Sequence, residues 1–299
     1  MVVREGGRLR EADHGQHRRD CPPPRREDRP GNKHEGMAEG RPRQTGSERR
    51  QPGRQKLGWR RLDGHGAISH NHRPRAWEAA VAAMSRAEIL TRYRHLRAIS
   101  TRHHSEALRF VPRSALLEQA RRLGLTVGKM LVAESMDELT LAFDLCLYTA
   151  APGRSRGIDR YARSVGTAPG SDEDVMLQAM RQARFSLWQV ARLHETSGLL
   201  VRDLMRQERV WLVDENLEQT APVSLTLAMR VSTPDAFAMT SGAIVPVDAG
   251  LIEEVFDEVQ GRVRGEPDII ANDRRFATAI YRMAVLSGAL DQIGLAESS

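Results

Sequence analysis

Before Met84 the chain shows no apolar period of any kind, and this sets the limit on what it can fold into. Leu9, Leu57, Trp59, Leu62 and Ile68 stand singly among 11 Gly and 7 Pro. Residues 1–83 therefore cannot bury enough surface to offset the entropy of ordering them, and a disordered arm is expected. The arm carries 19 Lys+Arg against 11 Asp+Glu, so the residues after it hold a net −2 although the whole chain stands at +6. The pI near 9.9 thus belongs to the arm. One account makes it a tail that grips nucleic acid or acidic lipid, but it contains no Lys/Arg run of five. The preferred account is a stretch not normally translated. Its Arg, Gly, Pro, His and Ala content is what a GC-rich upstream segment would encode, and Met84 stands where order begins.

From Ser85 the period is helical. Ser85 and Glu88 have the spacing of a capping box, in which the serine oxygen takes the third amide and the glutamate reaches back. Ile89, Tyr93, Leu96 and Ile99 then recur every three or four residues while Arg92, Arg94 and Arg97 point elsewhere, giving an amphipathic helix with a basic face. Pro112 opens a second helix through Leu116, Ala120 and Leu123, and Gly124 stops it. Ser135 and Glu138 repeat the capping spacing before Leu139, Phe143, Leu145, Cys146 and Leu147, expected to form the most buried helix, ended by Pro152 and Gly153. Helices from Ser155 to Ser164 and from Ser171 to Phe185 complete a helical region over 84–185.

At Phe185 the period changes. Leu187–Leu193, Leu199–Met205, Arg209–Asp214, Leu225–Ser232 and Ala236–Val247 alternate or run apolar, with turn residues at Thr196–Gly198 and Thr233–Asp235. Four or five antiparallel strands over 186–247 are expected, as a meander that curls into a small barrel or packs on helices. Two helices over 248–299, Asp248 to Val263 and Asp268 to Leu290, are expected to pack on this module. The fold class is α+β: an N-terminal helical bundle, a small antiparallel β meander or barrel, and two closing C-terminal helices behind the disordered arm.

Two cysteines, Cys21 and Cys146, can assemble neither a disulfide framework nor a four-thiol zinc site, so a reducing cytoplasm is the expected location. No run of about 18 apolar residues occurs, and a soluble protein without membrane contact is expected. Gly124 to Met130 lacks the glycine spacing, the preceding strand and the Ser/Thr of a phosphate loop; it reads as a helix stop and a turn. His95, His103 and His104 read as solvent-facing beside arginines. His194, with Glu195, Asp203, Glu208, Asp214 and Glu215, reads as outward polar positions of a half-exposed sheet. No catalytic, cofactor-binding or metal-binding residue is assigned.

The cationic residues are more informative. Arg154, Arg156, Arg160 and Arg163 surround Tyr161 in a patch suited to phosphate or carboxylate. Residues 84–125 hold 9 basic against 3 acidic groups, so the following residues are net acidic. Either the basic face of 86–122, with Arg92, Arg94, Arg97 and Arg102, meets nucleic acid or an acidic partner, or it meets the acidic helix Glu253–Glu258 within the molecule or across a dimer. The second use ranks first, because no aromatic interleaving accompanies the arginines.

Val190–His194, Gly198–Leu204 and Glu208–Asp214 resemble a β module of paired strands found in uncharacterised bacterial proteins. The resemblance covers about 60 residues and implies no known activity. Some relatives of that kind end in a cysteine-rich zinc tail; this chain ends Leu295-Ala-Glu-Ser-Ser299, and no metal is carried over. The expected role is a non-catalytic protein-interaction or regulatory module whose partner is protein, self or other. The alternative is a nucleic-acid-associated protein using residues 86–122 and the Arg154–Arg163 patch, and an enzyme comes third.

Overall fold

The computed structural model describes residues 84–260, 263 and 265–290; the expected disordered arm at 1–83 lies outside the described residues. The chain divides into two units, Met1–His65 and Gly66–Ser299, and every described residue lies in the second. The fold is α+β, with nine helices and two antiparallel sheets among the described residues.

Helix α1, Arg86–Leu108, starts at the capping box read from the sequence: Ser85 N–H donates to Glu88 Oε2 at 2.8 Å and Glu88 N–H donates to Ser85 Oγ at 3.3 Å. Its buried stripe is Ile89, Tyr93, Leu96 and Ile99. Helix α2, Arg113–Leu123, ends at Gly124 in the left-handed region. A hairpin then follows that the helical period does not announce, β1 Thr126–Val127 and β2 Met130–Leu131. Helix α3, Met136–Tyr148, is capped by Ser135 Oγ accepting from Glu138 N–H at 3.2 Å. Its Glu138 reaches back one residue further than a capping box requires, to Glu134 N–H at 2.6 Å. Helices α4, Gly157–Ser164, and α5, Asp172–Arg181, complete this layer.

The main sheet contains β3 Arg184–Leu193, β4 Leu199–Asp203, β5 Arg209–Leu212, β6 Thr226–Ser232 and β7 Met239–Pro246. Its order is β5-β4-β3-β6-β7 with every pair antiparallel. The short helix α6, Glu215–Thr220, carries the chain from the β5 edge across to β6. The sheet is thus not a closed barrel. A single parallel bridge, Leu212 to Ala238, joins the end of β5 to the segment before β7.

Helix α7, Ala249–Gln260, precedes α8, Pro267–Asn272, and α9, Arg274–Ser287. The continuous helix expected from Asp268 is instead broken at Asp273. That carboxylate accepts the Arg275 N–H at 2.8 Å, so Asp273 acts as an N-cap and starts a new helix.

Two buried clusters of core residues stand out among the described residues. One joins α1, α3, α4 and α5 through Ile89, Leu96, Leu147, Ile158 and Met180. The other covers one sheet face with Trp188, Val190, Val201, Leu227 and Met229 and receives Leu217 from α6. Aromatic edges tie the closing helices to β3, with Phe185 at 6.0 Å from Phe276 and 5.4 Å from Tyr281 between ring centroids. Among the described residues no helix is long and apolar enough to cross a membrane.

Candidate functional site

The C-terminus of α3 sets the position of the main cleft. Beyond Tyr148 the chain leaves the helix at Thr149, whose hydroxyl donates back to Leu145 O at 2.6 Å. Pro152 and Gly153 then turn it, with Gly153 at φ +74°. At Gly157 the chain returns so close that an added Cβ would lie 2.9 Å from Cys146 O and 3.1 Å from Leu147 Cα. A side chain there would force backbone apart, so this glycine holds the 149–156 loop against α3.

That loop, the junction of α5 with β3, Arg230 of β6 and the junction of α8 with α9 enclose a cleft of about 840 Å³. Seven arginines line it: Arg154, Arg156, Arg181, Arg184, Arg230, Arg274 and Arg275. Four carboxylates reach them. Asp159 is shared, accepting from Arg156 Nε at 2.7 Å and from Arg181 Nε at 3.2 Å. Burial pushes the Asp159 carboxyl up, yet the hydrogen bonds and charges of the two arginines outweigh it and hold the group below its usual range. Arg156 also donates to the Arg181 carbonyl at 2.8 Å, covering the end of α5. Asp273 takes both arms of Arg275, at 3.0 and 2.8 Å. These hydrogen bonds lower its carboxyl. Glu208 takes Arg184 at 2.9 Å.

The fourth carboxylate, Asp144, lies beneath the floor. Arg230 donates to its two oxygens at 3.0 Å each, and the Tyr281 hydroxyl donates to it at 3.2 Å. The Arg230 guanidinium carbon sits 4.5 Å from the centroid of the Tyr148 ring. Tyr148 in turn donates to His104 Nε2 at 2.8 Å, while His104 Nδ1 donates to Ser100 O at 2.9 Å. This fixes the neutral tautomer, and burial lowers the imidazole pKa. Among the described residues, seven guanidiniums facing four carboxylates leave the cleft with three uncompensated positive charges. Among the described residues neither Arg154 nor Arg274 makes a side-chain hydrogen bond or ion pair, although the Arg274 charge also helps to lower the Asp273 carboxyl.

A second cleft of about 490 Å³ is lined by Arg121, Arg122, Arg282 and Glu258, and it shares Arg274 and Arg275 with the first. The basic lining is therefore continuous between the two. Among the described residues no group of three or more His, Cys, Asp or Glu side chains is placed to hold a metal ion.

Of the residues singled out in the sequence, Arg154 and Arg156 line the main cleft. Arg160 lies on α4 and donates to Phe110 O at 3.1 Å, and Arg163 is exposed on the same helix. The α1 arginines are latched to other elements. Arg92 binds Asp172 at 2.6 and 2.7 Å and Asp235 at 2.8 Å; Arg94 binds Glu215 at 2.6 Å; Arg97 donates to Thr240 O at 2.6 Å. Their carboxylates come from the loops and helices around the sheet rather than from Glu253–Glu258, of which Glu258 meets Arg282.

Two sequence expectations need correction. His103 is buried, not solvent-facing, between the Tyr161 hydroxyl at 2.8 Å and Glu173 O at 3.0 Å, and His104 is likewise turned inward, half-buried between Tyr148 and Ser100. Asp203 and Asp214 point inward, because each satisfies backbone amides at a turn or helix start: Asp203 takes those of Met205 and Arg206, Asp214 those of Asn216 and Leu217. His194 stacks on Trp211 with centroids 4.3 Å apart, and among the described residues no carboxylate hydrogen-bonds to it.

The period missed Arg181, Arg184, Arg230, Arg274 and Arg275. A signal was present for one: Arg230 is the lone charge in the apolar strand Thr226–Ser232, whereas Arg274 and Arg275 stand at a helix start that the sequence pattern did not show.

The model of one protein family, described as a family of unknown function (DUF7986), matches residues 87–284. No curated protein and no solved structure matches the chain.

Proposed function

The chain belongs to the DUF7986 family, and from that premise we propose that it is a non-catalytic interaction or regulatory module that takes up an anionic group in the arginine cleft. The observation that carries this reading is the excess of guanidinium over carboxylate in one concave site. Arginine remains protonated at any working pH and presents a planar fork to phosphate or carboxylate, so it binds well and moves protons poorly. Among the described residues the cleft's one lining carboxylate, Asp273, is occupied as a helix cap and by Arg275. The lining is therefore suited to holding a ligand rather than transforming it.

The test is a thermal-unfolding titration of the full chain with inorganic pyrophosphate as the anion probe, beside the same chain carrying Arg154→Glu and Arg274→Glu. The basic arm is present in both, so a difference between them reports the cleft. A rise in Tm with pyrophosphate that the double variant loses supports the reading. Equal behaviour of the two chains rejects it.

A second reading is sequence-independent contact with nucleic acid, favoured by the continuity of the two clefts through Arg274 and Arg275. Salt-dependent retention of single-stranded DNA, reduced by Arg121→Glu with Arg282→Glu, would promote it. Retention unchanged by those substitutions would assign the binding to the arm.

A further inference from the structure

We infer that the ligand of the main cleft is a small organic molecule carrying two or more phosphoryl groups, rather than a polymer; this rests on the anion-binding reading above. The uncompensated charge falls in two places on different chain segments. Arg154 and the pair Arg156 and Arg181, which share the single charge of Asp159, belong to the loop after α3 and the end of α5. Arg274 belongs to the first turn of the 14-residue helix α9. A ligand with more than one anionic group can engage guanidiniums from both segments at once.

Beside the polar Thr149, Gln182 and Asn272, part of the remaining lining is small and apolar. Ala150, Ala151, Pro152, Ala271 and Ala277 supply it, and a compact ligand body fits against such side chains. The Tyr148 ring is not free to stack a base, because Arg230 covers one face at 4.5 Å and the residue is buried. The binding energy would therefore come from the anionic ends, with the body tolerated by shape.

Size and charge point the same way. A volume of about 840 Å³ lies within the usual range of small-molecule clefts, roughly 300–1,000 Å³. Three surplus charges match two phosphoryl groups, each of which carries about −1.5 to −2 near pH 7. Among the described residues the cationic lining is arginine throughout, with no lysine; two forked donors on one phosphoryl group fix its orientation as well as its charge. A polymer would instead need a long basic track. The second cleft extends the basic lining, but there Arg122 and Arg282 are held by Glu118 and Glu258.

The experiment is calorimetric titration of the full chain with five probes at matched ionic strength: fructose 1,6-bisphosphate, ADP, inorganic pyrophosphate, a hexose monophosphate and a 20-residue single-stranded DNA. It is repeated on Arg154→Gln, on Arg274→Gln and on Arg113→Gln, an exposed α2 arginine outside both clefts. The expected result is that at least one of the two organic diphosphorylated probes binds about tenfold or more tighter than the monophosphate. Each cleft substitution should weaken that binding by about tenfold, a difference of ~1.4 kcal/mol, and Arg113→Gln should leave it unchanged. Monophosphate binding equal to that of both organic diphosphorylated probes overturns the inference while leaving the anion-binding reading standing. So does cleft-dependent binding of pyrophosphate alone, or of the DNA alone. Failure of every probe to show binding that depends on Arg154 or Arg274 overturns both.

Discussion

The Arg230 guanidinium donates through Nε and Nη2 to the two oxygens of Asp144, each at 3.0 Å, and both side chains are at most 5% exposed. The pair joins the inner strand β6 to α3, and the Tyr281 hydroxyl adds α9 to the same carboxylate. Removing one partner of such a pair leaves a buried charge without compensation, whereas replacing both by apolar groups removes the desolvation cost as well. Asp144→Ala is therefore expected to cost about 3–5 kcal/mol, and Asp144→Leu with Arg230→Met markedly less. Urea unfolding of the full-length variants checks this. A loss below about 1 kcal/mol for Asp144→Ala would show that Arg230 finds water or another partner.

His104 makes the floor of the cleft sensitive to pH. Its Nε2 accepts from Tyr148 and its Nδ1 donates to Ser100 O, so a second proton would turn the accepting nitrogen into a donor facing the tyrosine. Burial lowers the folded pKa, while the unfolded imidazole titrates near pH ~6.5. The unfolded chain thus binds more protons in the window between the two values. This part of the stability is complete above pH ~6.5 and declines as pH falls towards the depressed folded value. His103, also lowered by burial, acts in the same direction. Melting curves between pH 8 and 5 should show the decline, and His104→Gln should flatten it. A Tm that holds steady or rises on acidification would contradict the assignment.

Asp172 contributes at lower pH. Hydrogen bonds from Arg92, and then the charges of Arg92 and His95, depress its carboxyl to about 2. The unfolded side chain titrates near ~3.9, so this contribution is present above that value and is lost as pH falls through about 2. Asp172→Asn should reduce the steepness of acid unfolding between those limits. An unaltered acid transition would mean that the latch is equally screened in both states.

The latches also rank the arginines of α1. Arg92 joins Asp172 and Asp235 and is 30% exposed in its side chain, whereas Arg102 is 66% exposed and sits 3.4 Å from Glu173. Arg92→Ala is expected to lower stability by about 1–2 kcal/mol and Arg102→Ala by less than about 0.5 kcal/mol. Chemical denaturation midpoints with unchanged m-values would establish the order, and its reversal would show that the paired geometry of Arg92 contributes nothing.

Gly157 tests the wall of the cleft. A Cβ placed there meets the backbone of Cys146 and Leu147, which cannot swing aside as a side-chain tip could. Gly157→Ala should cost about 1–3 kcal/mol by overpacking and should also weaken anion uptake. Unimpaired stability would mean that the loop after α3 shifts freely.

Local signals made the helices and strands legible. Ser85, Ser135 and Ser171 each accept the amide that their spacing promised, and the change of period at Phe185 falls within two residues of the start of β3. The hairpin Thr126–Leu131 was obscured because each strand has two residues, too few to display an alternation. The break at Asp273 was hidden by an apolar pattern that runs on through Phe276 and Ile280 in the new helix. The cleft was only partly legible. Arg154 and Arg156 sit in a dense local cluster that sequence reading detects, but Arg181, Arg230 and Arg274 reach the same cavity from distant elements, and only the packing of α3 against the sheet and α9 brings them together. The α1 arginines show the converse: a basic stripe in sequence is largely neutralised in space by Asp172, Asp235 and Glu215.

The central claim is that the arginine cleft holds an anion. Hydrogen–deuterium exchange of the full chain with and without inorganic pyrophosphate tests it most directly, because protection is read segment by segment. Slower exchange is expected at residues 149–156 and 271–277, with no change in α1. Protection absent from both segments, or confined to residues 1–83, would contradict it.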